Sequence, residues 1–258
     1  MGFLTEALGE VRRRLERDPP DASALMALAS RMPPTRPFVG ALWSAETPAL
    51  IAEVKRASPS AGPIAEAEPG GLAGGYERAG ATAISVLTEP RHFDGALADL
   101  RAVRLATRIP LLRKDFLIHP DQLIETRASG GDAALLIVAA LTDTELRALL
   151  GTADDLGLGA LVEVHSGGEL ERAVATDAKV IGVNARDLET LEVDVDRALD
   201  LLGRVPSDRI AVLESGISTR EQVERAVEAG ARAVLVGEAL MRAADPAAKI
   251  RELRGGSG

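Results

Sequence analysis

Eight short runs of Val, Ile, Leu and Ala recur along the chain, and no other feature narrows the fold so far. They are residues 49–54 (ALIAEV), 82–87 (TAISVL), 109–113 (IPLLR), 133–138 (AALLIV), 159–164 (GALVEV), 179–183 (KVIGV), 210–214 (IAVLE) and 233–237 (AVLVG). Successive starts lie 20 to 33 residues apart, which leaves room for one helix and two loops each time. Nearly continuous apolar runs suit strands buried on both faces, the condition of a parallel sheet. Between them Ala, Leu, Glu and Arg recur at helical spacing, as in ALADLRAVRLATR, TDTELRALLGTADDLG and STREQVERAVEAG. Two of these stretches open on capping-box patterns, Thr142 with Glu145 and Ser218 with Glu221. Gly80, Gly130 and Gly230 each stand between a helix and the next strand, where left-handed backbone ends a helix without steric cost. Eight β/α units in strict alternation predict an α/β fold closed as a (β/α)8 TIM barrel; an open doubly wound sheet is the competing arrangement.

A chain of 258 residues suits one such barrel. Residues 1–48 hold two helix-like pieces, 3–17 and 21–31, and a Pro-rich connector from Pro33 to Pro37. They are predicted to form a helical N-terminal extension packed on the barrel, with 49–254 as the catalytic barrel and 255–258 (GGSG) as a tail outside the fold. Hydrophobic residues make up 46% but aromatic ones only 2%, so aliphatic side chains must fill the core. The net charge of −9 argues against nonspecific binding to nucleic acid, yet a local cluster of cations can still hold an anionic small molecule. With no Cys, disulfides, thiolate nucleophiles and Cys-ligated metals are excluded. The charged, amphipathic start MGFLTEALGEVRRRLERD does not read as a signal peptide, its Arg12-Arg13-Arg14 reads as a solvated face, and no apolar run reaches the roughly 18 residues of a membrane span. A cytoplasmic monomer is expected, with a weak dimer as the alternative.

In a barrel of this kind, catalytic groups come from the carboxyl ends of the strands and the loops that follow. The first run ends Glu53-Val54-Lys55-Arg56, and period-two alternation puts Glu53 and Lys55 on one face. Such a pair is costly to desolvate, so it is either a structural salt bridge at the mouth or a working pair. The third run ends Leu112-Arg113-Lys114-Asp115-Phe116, which turns Lys114 inward with Leu112 and Phe116 and turns Arg113 and Asp115 away. Crowding by other cations is expected to lower the Lys114 pKa toward that of a proton donor; a snorkelling surface lysine is the alternative. The fifth run carries Glu163, the sixth leads into Asn184 and Arg186, and the seventh ends on Glu214. Each alone admits a satisfied core polar residue, but five strands presenting polar groups at one rim are hard to explain that way.

Two loops carry a separate signal. Ser215-Gly216-Ile217-Ser218 and Gly237-Glu238-Ala239-Leu240 open the last two helices, and glycines there let backbone N–H groups approach a phosphate. Ordinary βα turns are the alternative. Neither loop is a P-loop and no Gly-x-Gly-x-x-Gly follows a strand, so no nucleotide cofactor is expected. His92, His119 and His165 are scattered without ligand spacing; all three are expected in loops or at the surface, with no metal. Trp43 and Tyr76 are expected to pack rather than bind.

The stretch Ile51-Ala52-Glu53-Val54-Lys55-Arg56-Ala57-Ser58-Pro59-Ser60 resembles the signature of the indole-3-glycerol phosphate synthase family. LLRKDFLIHPDQLIETRASGGDAALLIV, GALVEVHS, VIGVNARDLETLEVD and LESGIST are similar to that family in order and spacing, over roughly residues 35–245. The resemblance implies a phosphorylated substrate, 1-(2-carboxyphenylamino)-1-deoxyribulose 5-phosphate, closed to an indole with loss of CO2 and water in tryptophan biosynthesis, without a cofactor. It implies Lys114 as general acid and Glu163 as the group that serves dehydration with help from Lys55, while Glu53, Asn184 and Glu214 orient these groups and the substrate. Arg186, Lys55, Ser215, Gly216 and Gly237 would hold the phosphate, and Ser58 and Ser60 the carboxylated ring end. Phe93, Phe116, Leu135 and Leu191 would line the ring pocket. Glu238 puts a carboxylate beside the phosphate loop, so its side chain is expected to turn outward and leave backbone amides facing the anion. A sugar-phosphate isomerase barrel such as phosphoribosylanthranilate isomerase would want an Asp and Cys pair, and the chain has no Cys. A noncatalytic or engineered barrel scaffold would predict decayed strand ends, yet Lys55, Lys114, Glu163 and Asn184 all persist.

Overall fold

The computed structural model describes residues 2–46, 48–58, 62–63 and 68–256. Eight parallel strands close into a barrel: β1 (Ala49–Val54), β2 (Ala83–Leu87), β3 (Leu111–Lys114), β4 (Ala133–Ile137), β5 (Gly159–Val164), β6 (Val180–Asn184), β7 (Ile210–Glu214) and β8 (Ala233–Val236). Each pairs with its sequence neighbours, and β8 closes on β1 with Ala49 opposite Ala233. All eight apolar runs become strands. β3 and β6 run one residue past the apolar stretch, to Lys114 and Asn184, so these polar residues stand on the sheet itself. β3 begins only at Leu111 because Pro110 has no N–H to pair, though its carbonyl still accepts from Ile84 N at 2.9 Å. A two-residue hairpin, Ala57–Ser58 against Gly62–Pro63, stands in the loop after β1.

Apolar burial divides into two cores. Leu50, Ala52, Ile84, Leu111, Leu136 and Val162 face outward and pack against the ring of helices. Ile51, Leu112, Leu135, Leu161, Val212 and Leu235 point into the barrel. The extension forms helices α1 (Phe3–Arg17), α2 (Ala22–Ala29) and α3 (Phe38–Ser44), and joins this inner core through α1 and α3. Leu4, Ala7, Leu8 and Val11 of α1 and Phe38 and Leu42 of α3 belong to the inner cluster. α3 follows the Pro-rich connector, in a stretch assigned no element from sequence: Phe38 and Leu42 lie four apart, so one helical face carries both. Gly159 starts β5 beside the Phe38 ring, where a Cβ would approach Cδ1 to 3.1 Å. Asp132 ties the connector down, accepting from Arg36 N at 2.7 Å, Arg104 Nη1 at 2.8 Å and Leu111 N at 2.9 Å.

Helix ends follow their residues with one shift. Thr142 caps Asp143–Asp155 in a capping box with Glu145. The other box forms one residue later than Ser218 and Glu221: Thr219 is the cap and Gln222 its partner, whose Oε1 also accepts from Ser218 N at 2.7 Å. Left-handed backbone at Ser215 and Gly216 occupies the loop ahead of it, so the helix starts later. Gly80, Gly130 and Gly230 all take positive φ, as a C′ residue requires. The predicted tail is partly structured, because Gly255 (φ 83) and Gly256 close the last helix through bonds to Glu252 and Arg251 carbonyls. Tyr76 is buried and donates to Met241 Sδ. Trp43 instead stands half-exposed with the Arg232 guanidinium 5.1 Å from its ring centroid.

Candidate active site

At the carboxyl end of the barrel, β1, β3, β5, β6 and β7 deliver their terminal polar side chains into one pocket. Lys114 Nζ lies 2.9 Å from Glu163 Oε2 and 3.1 Å from Glu214 Oε2. Lys55 follows β1 and pairs with Glu53 Oε1 at 2.9 Å in the same pocket. Asn184 donates to Glu163 Oε1 at 3.1 Å and accepts from Arg186 N at 3.0 Å. Strand register explains the gathering: Glu163 sits opposite Ile137 and Gly182, and Asn184 opposite Glu214. Residues paired across a parallel barrel share an inward face, so the polar groups meet above the apolar layers.

Two glycines make room for the carboxylates. A Cβ on Gly182, in the middle of β6, would collide with Glu214 Oε1, and one on Gly237 with Glu53 Oε1. Glycine within a strand marks close approach of another group, and here the group is a buried carboxylate. Gly182 escaped the sequence reading although that signal was present in KVIGV.

The electrostatics of the cluster differ from expectation in one respect. Lys114 is surrounded by carboxylates rather than cations. Burial pulls its ammonium pKa down, but Glu163, Glu214 and Glu53 outweigh burial, so the pKa is raised rather than lowered. Burial pushes Glu163 up, and Lys114 and then His165 reverse it, leaving its carboxyl well below the usual carboxylate range. Glu214 goes the other way. Burial raises it, Lys114 only partly compensates, and the neighbouring Glu163 charge raises it further. Among the described residues, no protein donor is aligned on either Glu214 oxygen, although Lys114 stands within ion-pair distance.

His165, expected in a loop or at the surface, does lie in the loop after β5 but is buried there between two carboxylates. Its Nε2 lies 3.2 Å from Glu163 Oε1 and its Nδ1 3.2 Å from Glu169 Oε2. Period-two alternation from Glu163 to His165 carried that signal, since both share a face. His92 meets the Phe3 ring edge-on at 4.9 Å, and His119 caps the helix Pro120–Ala128.

The loops after β7 and β8 border the pocket through Ser215, Gly216, Gly237 and Glu238. Ser215 holds φ 67 and Gly216 φ 75, two left-handed residues in succession. A non-glycine residue there stores backbone strain of about 1–3 kcal/mol, a feature concentrated at functional sites. The Glu238 carboxylate is tied to Arg242 Nε at 2.9 Å, one turn along the same helix. Arg186 also lines the pocket, its Nη1 donating to Leu191 O at 2.8 Å.

The apolar wall includes Phe93, Phe116 and Leu135 but not Leu191. Leu191 occupies a left-handed turn (φ 65) closed by its N–H to Asp187 O at 2.9 Å, and this turn presents Leu188 to the pocket instead. Phe93 ends a short helix, Pro90–Phe93, capped by Glu89. Phe3 of α1 completes the wall at 6.0 Å from Phe116, held there as Leu4 N donates to Leu188 O at 3.0 Å. No strand-end rule could have named Phe3. Ser60 and the side chain of Ser58 lie outside the described residues.

Comparison with known proteins bears on this constellation directly. A sequence profile described as "Indole-3-glycerol phosphate synthase" matches residues 4–253. The indole-3-glycerol phosphate synthase of Micrococcus luteus is 48% identical, with 100% of this chain and 98% of the relative covered. That of Nocardioides sp. is 49% identical over 99% of each. Among solved structures, a 3-hexulose-6-phosphate synthase superposes with TM-score 0.65 at 18% identity, covering 80% of this chain and 98% of the other, which speaks for the barrel alone. With the profile and both full-length relatives in agreement, the chain belongs to the indole-3-glycerol phosphate synthase family, carboxy-lyases of tryptophan biosynthesis.

Proposed function

We propose that the chain closes 1-(2-carboxyphenylamino)-1-deoxyribulose 5-phosphate to indole-3-glycerol phosphate with Lys114 as acid and Glu163 as base. The observation that supports this most is the single Lys114 ammonium shared by Glu163 and Glu214 within one pocket that also holds the Lys55–Glu53 pair.

Ring closure joins an aryl carbon to the substrate carbonyl and turns that oxygen into an alcohol, so a proton must arrive as the bond forms. Lys114 supplies it. Its raised pKa keeps the ammonium fully loaded at neutral pH. The proton leaves only toward an oxygen gaining alkoxide character, a far stronger base than a carboxylate. Closure interrupts the aromatic ring; departure of CO2 leaves its bonding electron pair behind and restores it. No external electron sink is needed for that step. Dehydration then removes the hydroxyl as water, with Lys55 protonating it, while Glu163 takes the proton from the adjacent carbon.

The shared ammonium sets the order of events. While Lys114 is charged, Glu163 is a weak base. Once Lys114 has given its proton to the substrate, that Coulomb hold is released and Glu163 becomes competent. Glu53 and Glu214 orient the lysines, and the Glu214 carboxyl, with no aligned protein donor among the described residues, is left to meet a substrate hydroxyl. Backbone N–H groups of the Ser215–Gly216 and Gly237–Glu238 loops, with Arg186 and Lys55, hold the phosphate. Phe116, Phe93, Leu135, Leu188 and Phe3 enclose the aromatic ring. Among the described residues no helix is long and apolar enough to cross a membrane. A cytoplasmic monomer fits this reading, and sedimentation checks the oligomeric state.

Indole fluorescence after adding the anthranilate-derived ribulose phosphate to the pure protein tests the reading, with product formation expected. No product at high enzyme concentration refutes it. Glu163→Gln is expected to accumulate a ring-closed intermediate detectable by mass; unchanged flux overturns the base assignment.

A further inference from the structure

Three groups stand against Glu163, and the proposed reaction uses only Lys114. Lys114 binds Oε2 and Asn184 donates to Oε1 at 3.1 Å, while His165 Nε2 stands 3.2 Å from Oε1 at ion-pair distance, without an aligned hydrogen bond among the described residues. His165 itself is fixed from behind. Its N–H donates to Glu169 Oε2 at 2.9 Å, its Nδ1 faces the same oxygen at 3.2 Å, and its carbonyl accepts from Arg197. Glu169 lies in the first turn of the helix Gly167–Val174, whose cap Ser166 Oγ also holds Glu169 Oε1 at 3.0 Å. A line of groups thus runs from a helix N-terminus through an imidazole to the reacting carboxylate.

The chemistry asks for such a device. Lys114 loses its charge when it protonates the substrate oxygen, and at that moment Glu163 loses the cation that keeps it ionised. An uncompensated buried carboxylate would itself capture a proton and cease to be a base. We propose that His165 is a positioning residue for Glu163: clamped by Glu169, its imidazolium keeps the Glu163 carboxylate oriented and anionic while Lys114 is neutral.

Both ring nitrogens face carboxylates, so both carry protons in the charged form. Other charged groups bear on the ring: Lys114 acts on it through Glu163, the Arg197 guanidinium opposes its charge, and Asp187 in the loop after β6 favours it. Burial lowers the His165 pKa, but Glu163 and Glu169 outweigh burial and raise it to about 9. The geometry and the charge state agree.

The inference rests on the activity proposed above, so its test has one arm that needs no turnover. Ring 15N resonances of the histidines, with His165 assigned by its loss in His165→Gln, are expected to report imidazolium at pH 7.5. Glu163→Gln is expected to lower the His165 midpoint by at least about one pH unit, since the two sites are coupled. A neutral His165 ring at pH 7.5, or an unmoved midpoint, overturns the proposal even if the protein proves inactive. In the second arm, His165→Gln keeps a donor toward Glu163 but removes the charge. Expected are a fall in kcat of about tenfold, KM within about twofold, and an acid limb of the kcat–pH profile shifted up by about one unit. A variant with parental kcat and an unmoved acid limb overturns it. So does a variant whose activity loss lies entirely in stability, read by thermal melting.

Discussion

Arg113 and Lys114 are consecutive residues of β3, both set among carboxylates, and the fold treats them oppositely. Arg113 faces the helix layer, where it is 1% exposed. Its guanidinium is fully engaged: Nε to Thr88 Oγ1 at 3.0 Å, Nη2 to Asp115 at 2.9 Å, and Nη1 to Gln122 O at 2.9 Å, with Glu125 and Thr126 close by. Asp115 is satisfied in turn by Thr88 and by Phe116 N. Lys114 faces the mouth, shared between two carboxylates of which Glu214 has no aligned protein donor among the described residues. The outer cluster is a closed network and the inner one is open. A buried charge with every partner in place holds a structure together, whereas one left short of partners can engage a substrate.

Breaking the two clusters separately should have opposite signatures. Lys114→Ala is expected to lower kcat by roughly 10²–10⁴ while substrate binding stays measurable by calorimetry. Near-parental turnover would remove Lys114 from the acid role. Arg113→Met is expected to reduce stability by about 3–5 kcal/mol in urea melts, because Asp115 is left buried without its cation. Its kcat at a temperature where it is folded should change far less than that of Lys114→Ala; equal losses would erase the distinction between the clusters.

A pH titration sharpens the comparison, because His165, beside the inner cluster, titrates on the alkaline side of neutrality. His165 is raised from 6.5 to about 9 in the folded protein. A raised folded pKa means that its stabilisation is complete below pH 6.5 and is lost as pH climbs through about 9. Stability should therefore fall across that window by on the order of 2–3 kcal/mol, and His165→Gln should flatten the fall. A parental profile flat from pH 6.5 to 9 would contradict this. The smallest effect is expected from Gly182→Ala, whose methyl group must displace the Glu214 carboxylate at about 1–2 kcal/mol of strain. A several-fold decrease in kcat should accompany it. Unchanged kcat would show that the position of Glu214 matters little to turnover.

How much was legible follows from the periods involved. Alternation along a strand is a local rule with period two, so Glu53, Lys55, Lys114 and Glu163 could be assigned to an inner face from sequence. The same rule covers His165, two residues beyond Glu163, although the histidines have no metal-ligand spacing. Leu191 against Leu188 shows the opposite case. Which of two leucines in a loop points inward depends on the left-handed turn at Leu191, and loop backbone has no fixed period to read. The lowered Lys114 pKa expected from sequence failed for a related reason. The sign of the shift depends on which charges lie across the barrel, and strand order and register set that.

The sequence by itself determined that eight strands alternate with helices, that each strand is buried on both faces, and that polar residues cluster at the carboxyl rim. These properties depend on neighbours within a few residues, where hydrophobic periodicity and capping chemistry act. Closure of the barrel decided the rest: Lys114 between Glu163 and Glu214, Glu214 lying against Gly182, Asn184 donating to Glu163, and Phe3 brought from the far end of the chain to the pocket. Coulomb and packing forces act through space over a few ångströms, and only the folded chain brings residues separated by dozens of positions within that range.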